Sequence, residues 1–462
     1  MSLVITIVAF LVALSVLIVV HEYGHYWVAR RCGVRVLCFS VGFGKALWSR
    51  RFGADRTELR IAMIPLGGFV KMLDEREGAV SVEDRDRAFN HKSVWQRSAI
   101  VVAGPLANFV AAITIYWVLF MHGVPGLVPK LDEPAAQSAA AQAGFSRGET
   151  IVSVAGQATD SWQDFHWQLL HHALDGAPVM VVSLPDASGT LNQGDLRQRE
   201  LRFDDLSPRD IEGDLIRALG FSRLRPELPP VIGQLTANGP ALRAGLREAD
   251  LVVSINGRAI MTWDELVNTV RAAPGERLAF TVRRGGAVVT GLEVTVDAVL
   301  DAKDKPVGRI GAGPRVDPEA MQRMTVSVSH GPLEAFARAC VRTWDTAWFS
   351  LRMLGRMLLG ELSLKNLSGP ISIADHAGQS AQAGWISYLL FLALISISLG
   401  VLNLLPVPLL DGGHLLYHAY EIVTGKPVPE RAMEVGQQVG MIVLFMLMAF
   451  AVYNDIFRLI GR

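Results

Sequence analysis

Cysteine is scarce in this 462-residue sequence: Cys32, Cys38 and Cys340 are the whole complement, and no two form a CxxC pair. Three cysteines cannot build a disulfide framework, and without CxxC there is no thiolate metal site to read. Charge is thin as well, at 19% of residues against the roughly 25% of ordinary soluble domains. Lys and Arg (44) balance Asp and Glu (44), which excludes a generally basic nucleic-acid binder and an acidic disordered chain. What is present instead is apolar. Half of the residues are hydrophobic, mean hydropathy is +0.30, and the excess is clustered.

Four stretches carry it. Residues 1–20 and Ser98 to Met121 contain no charge, Trp385 to Leu405 forms a third run, and Val439 to Tyr453 a shorter fourth that uncharged Val435 to Gln438 extends. About 20 apolar residues cross a bilayer as a helix, because a helix satisfies its backbone groups internally. The first run lacks a basic leader and a small-residue cleavage site, so it reads as a span and not a signal peptide. From Arg30 to Arg97 there are 14 basic against 8 acidic residues, which predicts a cytoplasmic stretch and an outside N-terminus. The expected class is a multi-span α-helical membrane protein of four transmembrane helices, with lipid as its first partner and residues 123–384 outside. In a cell with an outer membrane, outside is the periplasm.

The outside region repeats itself. Ala143-Gly144 aligns with Ala244-Gly245 at an offset of 101, Ile151 to Val154 with Val252 to Ile255, Gly156 with Gly257 and Trp162 with Trp263. Each copy reads as helix, strand, tight turn, helix. A repeat of this length is a duplicated domain and not a solenoid unit. The pattern resembles circularly permuted bacterial PDZ domains, which implies two α+β domains. The expected Gly-Asp appears as Gly148-Glu149 and Ala249-Asp250. Leu219-Gly220-Phe221 and Ile310-Gly311-Ala312 resemble the strand that accepts a peptide by edge addition in that family.

Chemistry begins at His21-Glu22-Tyr23-Gly24-His25. On a helix, positions i and i+4 share a face, so two imidazoles can grip one ion while Glu22 lies near its bound water. Ionisable groups at the end of a span are costly and mark function. Catalytic zinc takes three protein ligands and keeps one position open. No other His or Glu is close in sequence, so the third ligand comes from afar. The best candidate is Asp411, in Asn403-Leu-Leu-Pro-Val-Pro-Leu-Leu-Asp411-Gly-Gly-His414 after the third apolar run, with His414 the next to test. Pro406 and Pro408 forbid continued helix there and free backbone carbonyls, which at that depth requires a protein-lined cavity. The first and third spans end on the same side, so His21, His25 and Asp411 can meet.

HExxH in a first span followed by Asn-x-x-Pro-x-Pro-x-x-Asp-Gly in a later one resembles the site-2 protease family of intramembrane zinc metalloproteases. The likeness also covers "FSVGFGKALW", "IPLGGFVKMLDE" and "AGPLANF", so it runs along almost the whole chain. It implies a bacterial inner-membrane enzyme that uses Zn2+ to cut a single-span anti-sigma factor already cut once on the periplasmic side. It also implies that Asn403 helps hold substrate or the developing oxyanion. A metal transporter would also set His and Asp within spans, but would not need Glu between two His at this spacing. A PDZ-bearing membrane scaffold would need one span and no metal site.

Two further segments fit. Ile61 to Met72 reads as strand, Gly67-Gly68 bend, strand, able to pair with an extended substrate. Trp344, Trp348, Leu351, Leu354 and Leu358 recur at helical spacing, with charges on other faces, as in an interfacial helix. The expected domains are residues 1–122, 123–222, 223–316, 317–384 and 385–462.

Overall fold

Among the described residues, four helices are long and apolar enough to cross a membrane: Leu3–Arg31, Val94–His122, Trp385–Asn403 and Glu430–Phe457. They come from a computed structural model that describes residues 2–460 apart from 77, 79, 175, 186–195, 205, 208–209, 211–213, 225–227, 301–304, 316–324 and 362–368. The chain divides into two units, residues 1–124 with 328–461, and residues 125–327. The boundary expected at 316–317 lies outside the described residues.

In the first unit, α1 (Ser2–Arg31) carries the HExxH sequence inside a continuous helix and not at its end. Helix α2 (Val94–His122) starts on a capping box, with the Ser93 hydroxyl accepting from the Gln96 N–H and the Gln96 side chain accepting from the Ser93 N–H. The two helices touch through small residues. A Cβ on Gly24 would press on the Ala103 carbonyl and lie 2.8 Å from Ala107 Cβ, so only glycine permits this approach.

Between them run β1 (Val36–Phe52) and β2 (Thr57–Met72). The arms of β2 on either side of Gly67-Gly68 do not fold onto each other, as a simple hairpin would require. They flank β1 instead: Cys38 pairs with both Glu58 and Lys71, and Ser40 with both Arg60 and Phe69. Gly67 makes the change of partner with φ +131°, and a side chain there would strike the Phe43 ring. Among the described residues, Gly68 to Met72 has no strand partner but β1, so its other edge is open for hydrogen bonding.

After the second unit come α3 (Pro332–Leu358), α4 (Pro370–Ala383), α5 (Trp385–Asn403), α6 (Asp411–Thr424) and α7 (Glu430–Ile460). Helix α3 is amphipathic, and of its bulky stripe Leu354 packs against the core around Ala112 and Ala339 while the two tryptophans do not face the protein. Ala335, Ala339, Thr343 and Thr346 are buried, whereas Trp344 is 71% and Trp348 49% exposed. Small side chains make the close contact, and the indoles are left facing outward. Asp455 on α7 is buried and accepts from the N–H groups of Gly369, Ile371 and Ser372, capping the first turn of α4. The Tyr388 hydroxyl donates to the Ala9 carbonyl, tying α5 to α1.

The second unit holds two separate hydrophobic cores, one from Leu131 to Phe221 and one from Ile232 to Ile310. The offset of 101 survives residue by residue. Strands Thr150–Val154 and Gln157–Ala158 and the helix Trp162–Ala173 correspond to Leu251–Ile255, Arg258–Ala259 and Trp263–Arg271. Each copy is a four-stranded sheet with its two-residue strand at the edge beside the five-residue one. Gly148 (φ +89°) and Ala249 (φ +67°) share a left-handed backbone, which is strained for the alanine. The acid that follows is buried in both copies. Glu149 meets Arg199 at 2.7 Å, and Asp250 meets Arg284 at 2.7 Å. The longer glutamate also reaches the Ser146 and Ser183 hydroxyls, so either acid fills the same structural position.

Candidate metal centre

Helix α1 sets His21 and His25 one turn apart, and their Nε2 atoms converge to 3.1 Å. The third group arrives from α6. His21 Nε2 lies 3.2 Å from Asp411 Oδ2, and His25 Nε2 lies 3.5 Å from Asp411 Oδ1. One donor atom from each residue fits within 4.8 Å of the others. Four ligands around zinc at about 2.0–2.1 Å stand about 3.3 Å apart, so these spacings suit one tetrahedral ion. The chemistry fits too. All three side chains are at most 18% exposed, and Asp411 Oδ2 is buried with no hydrogen-bond donor assigned to it. Two imidazole nitrogens and a carboxylate face one another, an arrangement a shared cation stabilises.

Several local features put Asp411 there. Helix α5 ends at Asn403, and residues 404–410 turn back so that Leu404 and Leu405 carbonyls press on Gly412 and the Val407 carbonyl presses on Gly413. No side chain fits at either glycine, so the reversal that starts α6 at Asp411 depends on both. Pro406 lies in this reversal and is exposed. Further along α6, Glu421 accepts from Arg97 at 2.7 Å and His418 Nδ1 lies 3.2 Å from the Ser98 hydroxyl, holding the helix to the start of α2.

Glu22 stands between the histidines in sequence and beside the open β2 edge in space. The Val70 N–H donates to its carboxylate, and a Cβ on Gly68 would sit 3.4 Å from its Cγ. Asn403 also reaches the centre, its Nδ2 3.5 Å from His21 Nδ1. His414 is not among the three converging groups. Gly220 and Gly311 belong to the other unit. Gly220 lies in a left-handed turn (φ +87°) and not in a regular strand, with Ser138 filling its side-chain space. Gly311 lines a groove of about 680 Å³ between helix Trp263–Arg271 and residues 309–313.

Three contributors are not legible as site residues from the HExxH spacing alone. Gly104 packs against both imidazoles, Asn108 is fully buried with Nδ2 3.3 Å from His21 Nδ1, and the Ile100 carbonyl lies 2.8 Å from His25 Nδ1. For Gly104 and Asn108 the sequence signal is the Gly-Pro-Leu-Ala-Asn run within an uncharged span, and for Ile100 there is none.

With this geometry in hand, comparison with known proteins is specific. A model of peptidase family M50 matches residues 9–447. Regulator of sigma-E protease RseP of Escherichia coli (strain K12) is 43% identical over 451 residues, 98% of each chain. Protease RseP of Yersinia pestis is 42% identical over 459 residues, 99% of this chain and all of its own. A Vibrio cholerae protein bearing a zinc metalloprotease name is 42% identical over 452 residues, 98% of each chain.

Proposed function

The chain belongs to peptidase family M50, and from that premise we propose that His21, His25 and Asp411 are its zinc ligands and Glu22 its general base. The enzyme class is an intramembrane zinc metalloprotease related to regulators of sigma-E. The observation that carries the residue roles is the convergence of three donor atoms within 4.8 Å, with Glu22 next to one of them in sequence.

Zinc held there would supply a Lewis acid for the scissile carbonyl and lower the pKa of a bound water toward about 7. The protein's own residues do the rest. Glu22 takes a proton from the attacking water and returns it to the leaving amine, a contribution of about 10²–10⁴ in rate. A substrate helix hides its carbonyls in internal hydrogen bonds and must unwind before it is cut. The open edge at Gly68 to Met72 offers backbone partners to the unwound segment, and its Val70 N–H already points at the Glu22 carboxylate. Gly67 and Gly68 let that edge approach without side chains between. Asn403, beside His21, is positioned to hold the substrate carbonyl as it becomes an oxyanion.

The substrate class in this reading is a single-span anti-sigma factor, already shortened by a first cut. The membrane is the inner one, with the basic stretch 30–97 cytoplasmic and the PDZ-like repeats periplasmic. The zinc site lies toward the cytoplasm in this reading, and the repeats select what enters. Purified wild type and Glu22→Gln, each measured for zinc content and for cleavage of a model single-span substrate, test the reading. Cleavage should vanish while zinc stays, and turnover near the wild-type rate in the variant would sink the assignment of Glu22.

A further inference from the structure

Both candidate ligands meet α2 through the ring nitrogen that faces away from Asp411. His25 Nδ1 lies 2.8 Å from the Ile100 carbonyl oxygen, an atom that only accepts. Nδ1 of His25 therefore carries a proton, and in the neutral ring Nε2 keeps the lone pair that points toward Asp411. His21 presents Nε2 in the same way, at 3.2 Å from Asp411 and 3.1 Å from His25 Nε2. A neutral imidazole that offers Nε2 must hold its proton on Nδ1, and that proton needs an acceptor.

Two amide side chains face His21 Nδ1, fully buried Asn108 at 3.3 Å and Asn403 at 3.5 Å, and Asn108 is both the nearer and the one whose Oδ1 is buried without a partner. The two ends of an amide have the same shape, and their assignment follows from the hydrogen bonds they make. With Nδ2 toward the ring, two donors would face each other, and Asn108 Oδ1 is then buried with no partner. With the amide turned, Oδ1 receives the Nδ1 proton. Ile100, Gly104 and Asn108 are spaced i, i+4, i+8, so one face of α2 supplies an acceptor, a gap and an acceptor to the histidine pair on α1. The Ser396 hydroxyl on α5 donates to the Asn108 carbonyl at 2.7 Å, and both residues are buried, which fixes this turn of α2.

We infer that Asn108 is a positioning residue whose Oδ1 accepts the Nδ1 proton of His21 and so fixes the tautomer that presents Nε2 to the metal. The inference rests on the reading of His21 as a ligand.

The test measures zinc affinity of the full-length, detergent-purified protein by competition with a chromophoric chelator. Asn108→Leu keeps the volume and removes the acceptor, and Asn108→Asp keeps an acceptor. Loss of such a partner weakens zinc by about 10–100-fold, which is expected for Leu, while Asp should stay within a few-fold of wild type. An Asp variant that binds as weakly as Leu, or that does not accumulate in the membrane, overturns the proposal. So does a Leu variant with unchanged affinity. If Leu does not accumulate, the Asp result decides alone, because an amide acting as donor could not be replaced by a carboxylate. A His21→Ala control separates the two levels. Full zinc affinity in that control removes His21 as a ligand, whereas its loss together with a normal Asn108→Leu removes only the role of Asn108.

Discussion

Gly104 packs directly against His25: a Cβ on Gly104 would fall inside van der Waals contact of His25 Nε2 and 2.8 Å from His21 Cε1. Helix α2 therefore forms a wall on which the two imidazoles rest, and glycine alone fits at the point of contact. Gly104→Ala should improve the intrinsic propensity of α2 by about 1 kcal/mol and yet displace both rings. The expected result is normal accumulation in the membrane with zinc content and cleavage each reduced on the order of tenfold. Unchanged zinc content would mean that the rings do not need this wall.

Asp411→Ala removes the charged member of the triad and leaves two imidazoles, which should lower zinc occupancy and abolish cleavage. His414→Ala should leave zinc content near that of wild type, since His414 lies outside the converging set. Elemental analysis of the two purified variants decides between them. Retained zinc in the Asp411 variant together with loss in the His414 variant would move the third ligand.

The second unit should have a pH dependence set by its two buried acids. Burial alone would raise the Glu149 carboxyl, but the Ser146 and Ser183 hydroxyls and Arg199 outweigh it and hold the group below the usual range. Burial likewise opposes the ionised Asp250, and Arg284 with the Arg247 N–H outweighs it. Groups lowered in the folded state contribute stability that is complete above the unfolded value of about 4 and is lost as pH falls through the folded one. Amide protection across residues 130–310, followed by hydrogen exchange and corrected for intrinsic rates, should be flat from pH 7 to 5 and fall below about 4. Asp250→Asn should cost about 1–3 kcal/mol at pH 7 and flatten the acid limb in the second repeat only.

If the repeats exclude uncut substrate by size, deleting residues 128–316 should let the enzyme cleave substrate that has not had its first cut. Val267→Trp, which fills the groove beside Gly311, should then have little effect. It is a cleaner probe than Gly220 or Gly311, whose left-handed backbones would strain with any side chain. Slower cleavage of the pre-cut stub by Val267→Trp would instead show that the groove binds the new C-terminus. A deletion that leaves the preference for pre-cut substrate unchanged would remove both roles.

The sequence by itself determined whatever is local or repeated. Runs of uncharged residues marked the four apolar helices because a backbone in lipid must bond to itself. The 101-residue offset marked a duplicated fold down to the paired positive-φ turns at Ala155-Gly156 and Asn256-Gly257. Spacing within one helix turn put His21 and His25 on one face. Asp411 was reachable because two prolines and a following Gly-Gly announce a break. Tertiary structure alone decided what surrounds those groups. Asn108 is 87 residues from His21 in sequence, and nothing in an apolar run says which polar residue turns inward to an imidazole. It also decided that β1 lies between the two arms of β2, and that Trp344 and Trp348 face outward while Ala335 and Ala339 pack. For the spans the physical reason is the solvent. In water, hydrophobicity separates the buried face from the exposed one, but lipid is as apolar as a protein core, so within a span the same residues suit either side. Which face meets the protein is then set by close packing of small residues and by individual hydrogen bonds, and both exist only once the helices have met.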